Sequence, residues 1–276
     1  LCHHLHSDSF QMTEKSSAHS KPLQTGPMIE FKKVTKIFGT FKVLDELDLV
    51  IPRGKITLIL GKSGEGKSVT IKHIMGLLKA TSGTVIVDNH DISDYGEKQL
   101  RELRKNFGML FQMAALFDSM SVFENVIFPL REHTKMSMKE MTERVEEVLE
   151  AVGLPGLGEK MPSELSTGEK KRVGLARALV HKPKVILYDE PTTGMDPLVS
   201  DMIDKLIVEV SKRDKDLTSI VISHDLKAAL DIADNVVMLY KGRVQLQGSP
   251  DEFRNTTDPI VRQFFAGKVE GPMEFF

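Results

Sequence analysis

The sequence contains a single cysteine, Cys2, and no tryptophan among its 276 residues. One cysteine cannot form a disulfide within the chain, which suits a reducing cytosol. No apolar run approaches the roughly 18 residues that a membrane-spanning helix requires, so the sequence predicts no such helix. The net charge is −2 with both signs interspersed, which leaves no broad basic surface for nucleic acid.

The chain is long enough to bury a sizeable core, so we expect one large α/β domain with an inserted subdomain. Residues 1–27 are rich in His, Ser, Thr and Lys, and they lack the apolar core of a secretory signal. This composition predicts a disordered leader. A metal site formed by Cys2 and the neighbouring histidines is the alternative.

The segment Gly61–Ser68 reads GKSGEGKS and fits the phosphate-binding loop G-x-x-x-x-G-K-[ST]. A short apolar strand precedes it and an apolar stripe at helical spacing follows it, which is the context that the motif needs. Glycines let backbone N–H groups approach phosphate oxygens. We expect Lys67 to reach the β- and γ-phosphates and Ser68 to bind Mg²⁺. The predicted ATP-binding residues here are Gly61, Lys62, Ser63, Gly64, Glu65, Gly66, Lys67, Ser68 and Val69.

Two carboxylates follow a second apolar strand, about 120 residues after the phosphate loop. Asp189 at the end of this strand suits a Mg²⁺ site, and Glu190 is placed to orient or deprotonate a water for attack on a γ-phosphate. An acidic pair after a strand is otherwise an ordinary solvated turn. The preceding phosphate loop favours the catalytic interpretation.

Two more predicted strands end in polar side chains. His224 follows the run Thr218–Ser223, at the sheet edge where open α/β sheets bind ligands, and we expect it to contact the γ-phosphate. Gln112 ends the run that begins at Phe107 and is expected to contact Mg²⁺ or the attacking water. A structural histidine and a satisfied loop amide are the alternatives.

With the segment Leu165–Glu169, which reads LSTGE, these motifs resemble those of the nucleotide-binding subunit of ATP-binding-cassette (ABC) transporters. The resemblance implies an α/β fold of the P-loop NTPase class, ABC type, with a mixed central sheet and a small antiparallel β-subdomain. It implies an ATPase domain over 28–266, a helical subdomain inserted at about 113–165, and a C-terminal tail at 267–276. The C-terminal stretch after about residue 250, which is rich in Phe and includes this tail, is expected to pack on a partner ATPase subunit.

The resemblance also implies that two copies sandwich two ATP molecules. The signature residues that would act on the partner's ATP are Ser166, Thr167, Gly168 and Glu169. Thr167 and Glu169 depart from the usual L-S-G-G-Q pattern. Asp196 would couple the two sites, and Phe38 occupies the place of an aromatic that stacks on adenine. Phe41 is an alternative for that role, and a core position is the alternative for both rings.

Local strings resemble a narrower group, the ATPases of Mce-type lipid transporters that maintain outer-membrane lipid asymmetry. They are Val69 after the motif serine, Phe111–Phe117, Pro129–Thr134 and Asp258–Gly267. This resemblance implies ATP-driven phospholipid transport at the cytoplasmic face of the bacterial inner membrane. It implies separate permease subunits and an Mce-domain lipid-binding protein as partners, and no nucleic acid.

Three alternative functions remain open, and the last two belong to other classes of protein. An ABC ATPase serving amino acids or lipoproteins would use the same chemistry with another permease. A soluble ABC protein acting on DNA or ribosomes would normally carry a coiled-coil insertion or a second cassette, and neither is present. A P-loop kinase would lack the signature.

Further expectations concern individual elements. Strands of the antiparallel subdomain are expected at Ile29–Val34, Phe41–Ile51 and Thr84–Val87, and the apolar stripe from Met141 to Val152 predicts a helix that ends at Pro155. We also expect a helix from Gly168 to Val180, with the three bases in its first turn on a solvated face. Contact with phosphate or with an acidic partner surface is the alternative. Some apolar residues after Gln112 should lie where the fold meets its membrane subunit, with core packing as the alternative; they are Met113, Leu116 and Phe117.

Overall fold

The computed structural model describes residues 26–223 and 230–274. The strands are β1 (Ile29–Phe38), β2 (Phe41–Ile51), β3 (Ile56–Leu60), β4 (Ser82–Val87), β5 (His90–Asp91), β6 (Phe107–Leu110), β7 (Val185–Asp189), β8 (Thr218–Ile222), β9 (Asn235–Tyr240) and β10 (Arg243–Gly248). The helices are α1 (Lys67–Ile74), α2 (Glu97–Arg104), α3 (Val122–His133), α4 (Met138–Ala151), α5 (Thr167–Leu179), α6 (Pro197–Arg213), α7 (Pro250–Asn255) and α8 (Pro259–Ala266). None of these helices is long and apolar enough to cross a membrane.

A six-stranded sheet in the order β10-β9-β3-β8-β7-β6 forms the centre, and only β10 runs antiparallel to its neighbour. Helices α3 to α6 cover one face, and the second sheet together with α1 covers the other. Leu58 and Leu60 of β3 therefore enter one core, while Ile59 enters the other. Burial on both faces explains why these strands read as continuous apolar runs.

The second sheet has the order β2-β1-β4-β5 and is antiparallel throughout. It packs with α1 against the central sheet through residues such as Phe31, Leu47 and Ile74. The three strands expected here are present, although β1 continues to Phe38 through irregular pairing between Phe31 and Ile37. The predicted α/β fold class is confirmed.

Serine and aspartate caps start most of the long helices. Four helices begin with a serine whose hydroxyl accepts from the N–H of a glutamate three residues later, and this glutamate bonds back to the serine N–H. The helix expected to end at Pro155 ends at Ala151 instead. Gly153, at φ 73°, takes the left-handed conformation that stops it.

The chain between β6 and α5 carries α3, α4 and a short 3₁₀ turn at Pro162–Glu164. These pack with α5 through buried side chains such as Val126, Val148 and Val173. The predicted leader 1–27 lies outside the described residues except for Gly26 and Pro27. The predicted tail begins directly after α8.

Candidate functional site

The parallel strands bring most of the predicted site residues to one edge of the central sheet. Ile59 of β3 and Asp189 of β7 both pair with Ile222 of β8, so these three strands end in line. The phosphate loop, Ser223 and Glu190 follow directly. Leu110 of β6 pairs with Tyr188, which brings the chain before Gln112 to the same edge. His224 lies outside the described residues.

The loop Gly61–Ser68 has the backbone that its glycines predict. Gly61, Gly64 and Gly66 have φ values of 147°, 88° and 94°. A Cβ atom on Gly61 would lie 2.7 Å from the Leu239 carbonyl oxygen, and one on Gly66 would lie 2.6 Å from Leu44 Cδ2. Neighbouring strands therefore close tightly around the loop, and only glycine fits these two positions.

Lys67 is only 7% exposed and lies under the loop. Its Nζ donates to the carbonyl oxygens of Gly61 at 2.5 Å and Lys62 at 2.7 Å. Burial lowers the pKa of Lys67, while the charges of Glu190, Glu65 and Asp189 oppose this shift. The lysine is thus enclosed by oxygen atoms and carboxylates, in a place where an anionic phosphate would supply a stronger partner.

Ser68 is the second residue of α1 and is exposed, as are Ser63 and Gly64 within the loop. Asp189 ends the strand two places away in the sheet. A hydroxyl and a carboxylate oxygen are ligands that Mg²⁺ prefers, with phosphate oxygens completing its shell. The exposed loop with a buried lysine beneath it fits a nucleotide phosphate with its magnesium ion.

Glu190 has a left-handed backbone, with φ 49°, and its N–H donates to the Ile222 carbonyl oxygen at 3.0 Å. A non-glycine residue is uncommon in this region, and such positions cluster at functional sites. The conformation turns the chain sharply after Asp189. Gln112 lies in an exposed turn beyond β6.

Both candidate adenine-stacking rings are on the surface. Phe38 is 45% exposed with the Lys36 ammonium 5.0 Å from its ring centre, and Phe41 is 66% exposed. The two residues face each other across the β1–β2 hairpin. The alternative of a core position is therefore wrong for both rings, and adenine stacking by Phe38 stays a prediction.

The signature lies on another part of the molecule, at the start of α5. Ser166 caps the helix and is exposed together with Thr167, whereas Gly168 is buried against α6. A Cβ on Gly168 would lie 3.1 Å from Val199 Cγ1. Glu169 bonds back to both the N–H and the hydroxyl of Ser166.

The start of α6 lies beside the signature. Asp196 caps this helix by accepting from the N–H groups of Leu198 at 3.0 Å and Val199 at 3.1 Å. Leu198 is 84% exposed and Met202 is 39% exposed. The signature thus borders exposed apolar side chains, as expected of a surface that another molecule covers.

Two basic residues of α5 connect the signature helix to the loop after β6. Lys171 is only 3% exposed, and its Nζ donates to the Phe111 carbonyl oxygen at 3.3 Å. Arg177 donates to the carbonyl oxygens of Ala114 and Ala115, both at 2.8 Å. The expected solvated face is therefore wrong for Lys171. Sequence alone gave no signal for this link.

The loop after β6 exposes apolar side chains, as expected. Met113 is 85% exposed and Phe117 is 43% exposed, while Leu116 packs partly against the core. Ala114 and Ala115 have φ values of 59° and 49°, which places Met113 on an outward bend. Arg177 holds this bend in place.

The C-terminal tail contacts the phosphate loop of its own chain. Met273 is buried and its N–H donates to Gln263 Oε1 at 2.6 Å. The next residue, Glu274, accepts from Lys62 Nζ through its carbonyl oxygen and forms an ion pair with Lys241 at 2.8 Å. The tail thus makes contacts within its own chain, and docking on a partner subunit stays a prediction.

Comparison with known families gives a match to the ABC transporter family model over residues 44–193. The chain is 39% identical over 270 residues to the "probable ribonucleotide transport ATP-binding protein mkl" of Mycobacterium bovis, covering 97% of this chain and 75% of the relative. It is 41% identical over 248 residues to the "intermembrane phospholipid transport system ATP-binding protein MlaF" of Haemophilus influenzae. This match covers 90% of this chain and 94% of the relative.

Among solved structures, the chain resembles a dimeric post-hydrolysis state of the ATP-binding cassette MJ0796 bound to ADP and Pi. The TM-score is 0.71 at 31% sequence identity, covering 81% of this chain and 99% of that chain. At 31% identity, this chain resembles that cassette in sequence as well as in fold.

Proposed function

Because this chain belongs to the ABC transporter family and is an ATPase that uses ATP with Mg²⁺, we propose that it powers phospholipid movement between membranes. The permease that moves the lipid is a separate, Mce-type complex with an Mce-domain lipid-binding protein. The chain sits as a peripheral subunit on the cytoplasmic face of a bacterial inner membrane. The observation that carries this proposal is the 41% identity to a phospholipid transport ATPase over almost its full length.

In the proposed mechanism, the phosphate loop binds ATP through its backbone N–H groups and the Lys67 ammonium. On binding, Lys67 exchanges the carbonyl oxygens of Gly61 and Lys62 for β- and γ-phosphate oxygens. This exchange is favourable because hydrogen bonds between two charged groups are stronger than those to neutral carbonyls. Phe38 stacks on the adenine, with Phe41 beside it in the same hairpin.

Ser68, Asp189 and Gln112 are the residues that would hold Mg²⁺, which supplies charge neutralisation on the phosphates. Glu190 accepts a proton from water as the water oxygen bonds to the γ-phosphorus. The bond from this phosphorus to the bridging oxygen breaks, leaving ADP and phosphate. We assign His224 a contact with the γ-phosphate.

The signature supplies the second half of each site. Cassettes of this family form dimers. Ser166 and the Gly168 N–H of one copy contact the γ-phosphate held by the other, with Thr167 and Glu169 beside them. Asp196 lies at the same surface and links the two sites. Hydrolysis removes these contacts and reopens the dimer, and Lys171 and Arg177 transmit the motion of α5 to the loop that faces the permease.

A second cargo has a specific observation in its favour. Relatives that are 39–41% identical carry the description "probable ribonucleotide transport". The chemistry of the ATPase would be identical, so the cargo is decided by the permease. The test must therefore identify the permease and what it carries.

The experiment is purification of the tagged chain from its native membranes in mild detergent, followed by mass spectrometry of proteins and lipids. We expect a multi-spanning permease, an Mce-domain protein and bound phospholipid. Recovery of a permease that transports ribonucleotides after reconstitution, but not phospholipid, would replace the cargo. Recovery of no membrane protein would contradict the transporter role.

A matched pair of variants makes this result specific. Met113→Glu alters the exposed loop after β6, where we place the permease contact. Val50→Glu changes a residue that is 41% exposed on β2 of the second sheet. Met113→Glu should lose the permease while Val50→Glu retains it, with unchanged ATP binding by both chains.

A further inference from the structure

The carboxylate of Glu169 makes two hydrogen bonds to the signature serine. The N–H of Ser166 donates to Glu169 Oε2 at 2.8 Å, and the Ser166 hydroxyl donates to the same oxygen at 2.7 Å. The hydroxyl oxygen accepts in turn from the Glu169 N–H at 3.3 Å. The single hydroxyl proton of Ser166 is therefore directed to a carboxylate of its own chain.

This arrangement competes with the contact that the signature makes in the dimer. A hydroxyl has one proton, and Ser166 must release Glu169 before it can donate to a phosphate oxygen. A bond to a charged acceptor is about twice as strong as one to a neutral acceptor, so a carboxylate holds this proton more firmly than an amide oxygen would.

We propose that Glu169 is a positioning residue that weakens ATP-driven closure of the dimer, because it retains the Ser166 proton and adds a negative charge beside the partner's γ-phosphate. The inference rests on the proposed role of Ser166 at that phosphate. The two effects have the same sign, because each favours the open state of the dimer. When the carboxylate becomes an amide, the hold on the Ser166 proton weakens and the negative charge disappears.

The local charges support this assignment. The bonds from the backbone and the hydroxyl of Ser166 hold the pKa of Glu169 below its usual value, and the positive charges of Lys160 and Arg172 add to the shift. The side chain is thus ionised at neutral pH. The bonds to the Glu169 carboxylate come from Ser166, and the Arg172 guanidinium donates to the Gly153 carbonyl oxygen at 3.1 Å. The negative charge therefore stays beside Ser166.

The chain contains a matched control at the start of α4. Ser137 and Glu140 form the same arrangement, with the N–H and the hydroxyl of Ser137 both 2.7 Å from Glu140 Oε2 and the return bond at 3.3 Å. Glutamine can still accept from the serine N–H at both helices, so Glu169→Gln and Glu140→Gln should alter the caps equally. Only the first removes charge from the signature.

The test measures the ATP concentration for half-maximal dimerisation by light scattering, in a Glu190→Gln background that slows hydrolysis. Glu169→Gln should lower this concentration by about 3- to 10-fold, and Glu140→Gln should leave it unchanged. With ADP in place of ATP, no difference between these chains is expected, because ADP has no γ-phosphate. A merely structural role would not produce this dependence on the nucleotide.

Glu169→Ala supplies a second variant, since it removes both the charge and the cap. It should lower the melting temperature more than Glu169→Gln does, yet still lower the ATP requirement. If the background chain dimerises with ATP but Glu169→Gln needs the same or more ATP, this inference is wrong and the proposed function stands. If the background chain does not dimerise with ATP, the proposed site shared between two copies is wrong, and this inference with it.

Discussion

The two halves of the proposed nucleotide site are built in opposite ways. In the phosphate loop, Lys67 is 7% exposed and its bonds go to carbonyl oxygens of the same loop. In the signature, Ser166 and Thr167 are exposed, and the neighbouring Leu198 is 84% exposed. One half is enclosed by its own chain, whereas the other lies open. We infer from this difference that one chain binds ATP and a second copy completes the site.

The physical origin of the difference lies in where each segment joins the fold. The phosphate loop follows β3, which is buried between two sheet neighbours and two cores. The signature begins a helix whose first residues, Ser166 and Thr167, are exposed, while later residues, such as Val173, are buried. The comparison therefore predicts that changes in the two halves have separable effects.

The largest expected effect is that of Glu190→Gln. Removing a general base should lower the rate of ATP hydrolysis by about 10²–10⁴-fold, because the amide cannot take the proton from water. Phosphate release measures this rate. ATP binding should be preserved, since the exchange changes no phosphate-loop residue. The control is Glu209→Gln on the exposed side of α6, which should hydrolyse ATP normally. A near-normal rate in Glu190→Gln would remove Glu190 from the base role.

The second prediction concerns the division of the site between two chains. Lys67→Ala removes the phosphate ligand of one half, and Ser166→Arg blocks the other half with a bulky cation. Each variant alone should be inactive. Mixing equal amounts should restore up to about a quarter of the normal activity, since half of the dimers are mixed and each mixed dimer retains one intact site.

Each variant alone, at the same total concentration, is one control. A mixture of Lys67→Ala with a chain that carries both Lys67→Ala and Ser166→Arg is another. None of these samples should hydrolyse ATP. If mixed dimers form, as shown by two different tags, and no activity returns, the two halves do not combine across chains.

Sequence patterns predicted the enclosed half well. The strand–loop–helix order around Gly61–Ser68 and the carboxylates at the end of β7 follow from motif and periodicity, because parallel strands necessarily end at one edge of the sheet. The fold class followed from the same motifs. These features depend on local order along the chain, which a sequence carries directly.

The sequence could not predict contacts between distant segments. Lys171 looks like one of three solvated bases, yet it is buried because the loop after β6 folds over it. The tail residue Glu274 contacts Lys62 across more than two hundred positions. The early end of α4 at Gly153 was also missed, since the choice between Gly153 and Pro155 depends on packing of the following turn. In each case tertiary contacts outweighed the local pattern.

The smallest effects are expected when alanine replaces a glycine in each half of the proposed nucleotide site. Gly61→Ala places a Cβ 2.7 Å from the Leu239 carbonyl oxygen at a φ of 147°. We expect a loss of about 1–3 kcal/mol in the free energy of unfolding and weaker ATP binding, because the loop must shift. Thermal unfolding and binding of a fluorescent ATP analogue measure both quantities.

Gly168→Ala should behave in the opposite way. Its Cβ would approach Val199 Cγ1 only to 3.1 Å, its backbone is helical, and alanine favours a helix by about 1 kcal/mol over glycine. Folding stability and ATP binding by the separate chain should therefore be unchanged or slightly improved. The added methyl group would press on Val199 of α6, directly beside the Gly168 N–H that we assign to the partner's γ-phosphate. A small shift of the signature should therefore weaken ATP-driven dimerisation. Equal loss of ATP binding by both variants would mean that the two halves already act together within one chain, and the contrast between them would no longer imply a shared site.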